Sequence, residues 1–300
     1  MTRGGSPIKL ERFDAPAEFY RRAAGFLLNH EADHNLMLGI ANGLIEHPER
    51  VQGQPYLAIV LDGGTVVAAA VMTPPRNLVL SRVSAADGLW LIAEDVYREY
   101  RRLPGVLGPS PVSLTFADRW QRRSGQPFQK ARALRIYQLD QVRPASRAPG
   151  DLRRATEADR DLLIRWMAAF GAEALGQADA GEAEQRVDAL LQPGHRGLFL
   201  WYDGRPVSMA GYSGPTGNGI RVSAVYTPPE YRRRGYASAC VSALSQFLLD
   251  TGYKYCFLFT DLSNPTSNHI YQEMGYRPVC DVDEYRFMDP DSRSESRPAG

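Results

Sequence analysis

Three short stretches of the chain hold side chains whose types and spacing suit chemistry. The first is Arg232-Arg233-Arg234-Gly235-Tyr236-Ala237. It follows the strand-like run Arg221-Val222-Ser223-Ala224-Val225-Tyr226 and precedes an apolar-periodic helix predicted to begin near Ala237. A basic, glycine-containing turn at a helix N-terminus is an anion trap. The first N–H groups there lack intrahelical partners, and the helix dipole favours negative charge. Arginine adds charge-assisted hydrogen bonds to phosphate oxygens, and Gly235 allows close approach of the backbone. The second stretch is Asn264-Pro265-Thr266-Ser267-Asn268-His269-Ile270-Tyr271. On a helix, Asn264, Ser267, Asn268 and Tyr271 share one face, which presents two amides, a hydroxyl and a phenol that can donate a proton. The plainer reading is an N-cap followed by a solvated face. The third is His30-Glu31-Ala32-Asp33-His34, which matches His-Glu-x-x-His. On a helix, two imidazoles at that spacing could hold zinc, with Glu31 as base. Asp33 is polar, however, and no third ligand follows. The apolar neighbours Phe26, Leu27, Leu36 and Leu38 suit an amphipathic helix with these polar residues turned to solvent.

The elements around the first two stretches read as mixed α/β. Thr156-Glu157-Ala158-Asp159 resembles a capping box and opens a helix through Leu162, Leu163, Trp166, Met167 and Phe170. A second helix is predicted over residues 182–191. A strand, Asp203-Gly204 turn and strand follow, then the strand ending at Tyr226. The helix after the basic turn carries Ala237, Cys240, Val241, Leu244, Phe247 and Leu248 on one face, with Gly252 near its end. Residues 255–259 form a short apolar strand, and Gly275 closes the helix that begins at Asn264. Strands near residues 276–279 and 284–288 finish the pattern.

A faint repeat relates this region to the first half. Leu57-Ala58-Ile59-Val60-Leu61-Asp62-Gly63-Gly64 resembles Leu198-Phe199-Leu200-Trp201-Tyr202-Asp203-Gly204-Arg205 at a constant offset. At that offset Arg232 falls opposite Leu91, and no Arg-x-x-Gly-x-Gly/Ala occurs in the first half. Residues 141–150, rich in Pro, Ala and Arg, read as a linker. We therefore expect domains over residues 1–143 and 150–288, with a polar, disordered tail over 289–300.

Bulk properties narrow the function classes. The chain has 300 residues and a formal net charge of +1, which argues against general nucleic-acid binding. Its three cysteines, at 240, 256 and 280, match no zinc or disulfide spacing. The sequence offers neither a bilayer-spanning apolar run nor a signal peptide, so a cytoplasmic location is expected.

The loop 232–237, the preceding Val225-Tyr226-Thr227-Pro228-Pro229-Glu230-Tyr231, and Asn264 and Tyr271 ahead of Gly275-Tyr276 together resemble the GNAT superfamily of acyl-CoA-dependent N-acyltransferases. The resemblance covers about residues 150–288. It implies two tandem GNAT-like α/β (α+β) domains, each a mixed sheet flanked by helices, the first degenerate. It implies acetyl-CoA as acyl donor, a primary amine as acceptor and no metal. It assigns Val225, Tyr226 and Thr227 to the pantetheine arm. Arg232, Arg233, Arg234, Gly235, Tyr236 and Ala237 go to the pyrophosphate, Asn264 and Ser267 to the donor, and Tyr271 to protonation of the leaving thiolate. Many relatives carry a Glu on the strand before the loop, whereas this strand offers Arg221 and Ser223. Asp261 is the best remaining candidate base, although its plainer reading is a turn or cap residue before Asn264. Neither nucleic acid nor membrane is expected as a partner, and monomer and homodimer both remain open. The competing functions are a zinc metallohydrolase at His30 and His34 and a non-catalytic acyl-CoA sensor.

Overall fold

The computed structural model describes residues 8–50, 53–143, 148–176 and 179–289. Part of the expected linker (144–147) and nearly all of the expected tail (290–300) lie outside these residues. The chain forms two compact units that interleave in sequence. One comprises Met1–Ile136, Asp261–Ser263 and Val279–Gly300, the other Tyr137–Thr260 and Asn264–Pro278.

In the first unit, β1 (Lys9–Arg12), β2 (Tyr56–Asp62), β3 (Thr65–Met72) and β4 (Leu78–Leu80) pair antiparallel in that order. β4 then pairs parallel with β5 (Gly105–Pro109). Helices α1 (Pro16–Leu28) and α2 (Asn35–Glu46) join β1 to β2, α3 (Asp87–Tyr100) joins β4 to β5, and α4 (Ser110–Ser124) follows β5. The buried faces of β2 and β3 serve both helix layers. Leu57, Ile59, Ala69 and Val71 meet Phe19, Leu27, Met37 and Leu38, whereas Ala58, Val60, Ala68 and Ala70 meet Ile92, Ala93, Phe116 and Trp120. Strict alternation along each strand produces these two cores.

The second unit repeats the pattern. β7 (Asp151–Arg154), β8 (Gly197–Tyr202), β9 (Pro206–Ser213) and β10 (Gly219–Tyr226) pair antiparallel, and β10 pairs parallel with β11 (Tyr255–Asp261). Helices α5 (Arg160–Phe170) and α6 (Ala180–Leu191) join β7 to β8, α7 (Tyr236–Asp250) joins β10 to β11, and α8 (Pro265–Glu273) follows β11. The expected capping box is present: Asp159 accepts from the Thr156 backbone and hydroxyl at 2.9 and 3.1 Å. α7 buries Val241, Leu244 and Leu248 against Ile220, Val222 and Leu258. Each such side chain contributes about 1.5–3 kcal/mol. Leu163, Trp166, Val187 and Leu190 of α5 and α6 cover the opposite face.

The last strand of each repeat departs from chain order. β6 (Phe128–Leu139) follows α4, yet its final residues, Tyr137–Leu139, belong to the second unit. The two short strands expected at 276–279 and 284–288 are one strand, β12 (Arg277–Phe287). Its residues Val282–Arg286 pair antiparallel with β5 of the first unit. The polar run Cys280-Asp281-Val282-Asp283 looked like a break in the sequence. Instead, Asp281 and Asp283 meet Arg135 and Lys130 of β6 at 2.6 and 2.7 Å. Cross-strand ion pairs of this kind let charged residues sit inside a sheet.

Candidate active site

The elements that carry the sequence-selected residues meet at the C-terminal ends of β10 and β11. The two strands pair in parallel at Gly219–Arg221 with Tyr255–Phe257, and β10 continues five residues further, to Tyr226. Its register with β9 shifts between Ser223 and Tyr226, where Ala224 and Val225 face the single residue Ala210. Ala224 sits in this bulge at φ 53° and is fully buried. A non-glycine residue in that region costs on the order of 1–3 kcal/mol and persists only where its surroundings fix it. The bulge reverses the side-chain alternation. Ile220 and Val222 face α7, whereas Ala224 and Tyr226 face α5 and α6.

The chain then enters the basic turn. Arg233 adopts φ 63° and Gly235 φ 79°, so two left-handed residues bracket Arg234. Successive N–H groups turned inward by such residues make an anion-binding concavity. Gly235 is also the N-cap of the 15-residue helix α7, whose first turn holds no acidic residue. The positive end of that dipole is thus unopposed. Tyr236 turns its ring into the core and donates its hydroxyl to Asp203 of the β8–β9 turn at 2.6 Å, leaving its backbone to the first turn of α7.

Arg232 is bound on the protein itself. Its Nε donates to the Thr227 carbonyl at 2.8 Å, and its Nη2 donates to both oxygens of Glu173 at 2.9 and 2.7 Å. Its guanidinium lies over the Tyr226 ring at 5.8 Å, and that ring sits 6.2 Å from Trp166 of α5. Glu173 stands on a π-helical turn, Gly171–Leu175, that extends α5. π-turns of this kind recur at functional sites. Arg233 and Arg234 are both exposed, and the charge of Arg234 also acts on the Tyr236 hydroxyl. Ser208, buried on β9, holds the strand end by donating to the Tyr226 carbonyl at 3.1 Å and bonding Thr227 Oγ1 at 2.8 Å.

α8 brings the polar stripe together. Asn264 Oδ1 caps the helix by accepting from Ser267 N at 3.0 Å, which is the plainer role weighed from sequence, and among the described residues its amide nitrogen has no partner. Asn268 Nδ2 donates to the Asn264 carbonyl at 2.8 Å. Tyr271 is half-buried between the rings of Tyr137 and Tyr276, at centroid distances of 6.5 and 5.9 Å. Among the described residues its hydroxyl has no hydrogen-bond partner, and burial pushes its pKa up to about 12. Asp261 Oδ1 accepts from the Ser263 N–H and hydroxyl at 2.7 and 2.6 Å, the arrangement of a turn residue.

Sequence reasoning missed three participants. Tyr137, at the end of β6, donates its hydroxyl to Asn268 Oδ1 at 3.0 Å and accepts from Gln272 Nε2 at 3.0 Å, so it fixes α8 from a position 131 residues upstream. Ser208 lies 19 residues from Thr227 and Glu173 lies 59 residues from Arg232.

The metallohydrolase alternative does not survive. α1 ends at Leu28 and α2 starts at Asn35, so His30 and His34 share no helix. His34 is buried; its Nδ1 donates to the Leu27 carbonyl at 2.9 Å and its Nε2 accepts from Arg82 N at 3.0 Å. Both nitrogens are committed, and burial holds its pKa low.

The repeat offset that set Leu91 opposite Arg232 also drifts, because Leu91 lies inside α3. The connection equivalent to the basic turn is residues 81–86, between β4 and α3. It has no Arg-x-x-Gly pattern, and Asp87 places an acid in the first turn of α3.

Residues 161–276 match the acetyltransferase (GNAT) family. No curated protein matches the sequence. Among solved structures, a GCN5-related N-acetyltransferase from Sphaerobacter thermophilus aligns over 93% of this chain and 95% of that chain at 16% identity, with a TM-score of 0.60. An acetyltransferase from the GNAT family of Colwellia psychrerythraea aligns over 94% and 100% at 11% identity, TM-score 0.54. A tandem GNAT protein from the clavulanic acid biosynthesis pathway aligns over 98% and 100% at 12% identity, TM-score 0.56. Residues 161–276 thus match the acetyltransferase (GNAT) family, and the chain shares its fold with solved GNAT structures, a tandem GNAT protein among them.

Proposed function

We propose that the protein is an acetyl-CoA-dependent N-acetyltransferase in which the second repeat does the chemistry and the first is a degenerate copy. One observation carries this reading: the basic turn at the α7 N-terminus, the bulged end of β10 and Tyr271 of α8 all belong to one compact unit and one end of its sheet. The pyrophosphate rests on the N–H groups of residues 233–237, with Arg233 and Arg234 as counterions, while Arg232 braces the strand end through Thr227. Backbone groups of Val225 and Thr227 and the Asn264 amide hold the pantetheine arm, and Ser267 lies beside it on α8. The amine attacks the thioester carbonyl directly. A β10 N–H near Val225 stabilises the oxyanion, and Tyr271 donates to the departing sulfur.

The acceptor is a primary amine. Asp261 is a poor base because its Oδ1 already takes two short hydrogen bonds from Ser263. The amine therefore arrives neutral or loses its proton to water, and activity rises with pH as the amine deprotonates. A thiol-release assay with acetyl-CoA across a panel of primary amines tests the reading. Tight acetyl-CoA binding without turnover on any amine would favour the non-catalytic sensor.

A further inference from the structure

The second unit holds a cavity of about 560 Å³ at the end of its sheet remote from the basic turn. Its lining includes Phe247 and Thr251 near the C-terminus of α7, Lys254 just before β11 and Arg154 at the end of β7. Phe247 and Thr251 lie 11 and 15 residues beyond Tyr236 along α7 and its end. At the helical rise, that separates the cavity from the turn by roughly 17–22 Å. The size is that of a small-molecule site.

The charges around the cavity have one sign. The cations Arg154 and Lys254 line it, His195 adds an imidazole, and no carboxylate does. Among the described residues, no acid pairs with the side chains of Arg154 or Lys254. The neighbouring Arg153 holds Asp159 at 2.7 Å, and the other two lysines, Lys9 and Lys130, hold Glu11 and Asp283, each at 2.7 Å. The uncommitted cations thus face the same space. Three aromatic rings, Tyr212, Phe247 and Tyr253, also line the cavity. Tyr212 crosses so closely over Gly197 that a Cβ there would stand 2.8 Å from its ring. Tyr253 bonds His195 Nδ1 through its hydroxyl at 3.0 Å, which orients the imidazole. Arg154 draws the Tyr212 phenol pKa down against the larger upward push of burial, so its charge reaches that ring.

We propose that this cavity is a second ligand site, separate from the acyl-transfer site, for a small anion carried on a planar ring. Arg154 and Lys254 take the phosphate or carboxylate, and the aromatic walls take the ring. The site does not depend on the acetyltransferase reading.

The test uses the intact protein saturated with coenzyme A, so that the basic turn is occupied. AMP is titrated by calorimetry, with adenosine and inorganic phosphate as separate controls, while the His195 ring resonance is followed by NMR and assigned with His195→Gln. We expect saturable AMP binding that shifts the His195 signal and much weaker binding of either control. Arg154→Gln and Lys254→Gln should each weaken AMP by about tenfold or more, the size of one lost charge-assisted hydrogen bond. Coenzyme A affinity should not change. AMP binding that coenzyme A abolishes and these substitutions leave alone would place AMP at the basic turn and overturn the proposal. Absence of saturable AMP binding would overturn it as well. A Phe247→Ala variant that folds normally supplies a charge-independent check, because loss of the aromatic wall should weaken AMP more than inorganic phosphate.

Discussion

Tyr271→Phe removes one oxygen from the proposed site, and the structure sets how much that should cost. Burial between Tyr137 and Tyr276 pushes the Tyr271 phenol up to about 12. An ordinary thiol titrates near ~8.5, so complete proton transfer to a thiolate is uphill by about 3.5 pKa units, or roughly 5 kcal/mol. In the proposed mechanism Tyr271 therefore acts as a hydrogen-bond donor to the departing sulfur more than as a source of a free proton. A hydrogen bond to a charged group is worth about 1.5–3 kcal/mol. The substitution should lower kcat by roughly 10- to 150-fold, below the upper range of full general-acid catalysis. Ring packing is retained, so acetyl-CoA affinity should stay within about twofold. Thiol release at saturating donor and acceptor gives kcat, and calorimetry with acetyl-CoA gives Kd. Unchanged kcat with the best acceptor, in a regime where chemistry limits turnover, would refute Tyr271 as the donor. A parallel loss of acetyl-CoA affinity would show instead that the phenol serves binding.

Other outcomes follow from the same geometry. Arg232→Ala combined with Gly235→Glu unfastens the strand end and puts a carboxylate and a strained φ at the α7 N-cap, so calorimetry should detect no acetyl-CoA binding. Glu173→Gln removes the counterion of Arg232 and should tighten acetyl-CoA by roughly two- to fivefold at low salt, the size of an exposed ion pair; weaker binding would contradict that account. The Cys240 and Cys256 thiols are each pushed up to about 12 by burial. Their folded pKa lies above the unfolded value of about 8.5, so this contribution is intact below that pH and is lost as pH rises through it, by up to ~1.4 kcal/mol per pH unit per thiol. Urea midpoints that stay flat between pH 7 and 10 would count against it, whereas a shallower slope in Cys256→Ala would support it.

What could be read from the sequence was what is encoded locally. The basic turn, the α7 stripe, the Thr156–Asp159 cap and the Asn264 start of α8 each depend on residues within one or two turns of helix, and each is found where its pattern placed it. The misreadings have distant causes. β12 looked broken at Asp281 and Asp283 because their partners, Arg135 and Lys130, lie more than a hundred residues upstream. Tyr137 gave no signal, since its role depends on Asn268 and Gln272 reaching it from α8. His30 and His34 matched a helical motif, but the chain leaves the helix at Leu28, and the Arg82 N–H occupies the nitrogen a metal would need.

The two repeats share strand order and parallel pairing, so the fold alone does not decide which of them holds a phosphate. The difference lies at two helix ends. α7 begins at a left-handed glycine, has no acid in its first turn, and follows a strand of 8 residues with a bulge near its end. α3 begins after Ala86 in an ordinary helical conformation, carries Asp87 in its first turn, and follows a strand of 3 residues. A carboxylate at a helix N-terminus is stabilising to the helix by about 0.3–1 kcal/mol, and it spends the dipole that an anionic ligand would otherwise use. The first repeat thus directs its helix end toward its own stability, while the second leaves it available. This asymmetry, more than the missing arginines, is why we assign the pyrophosphate to the second repeat alone.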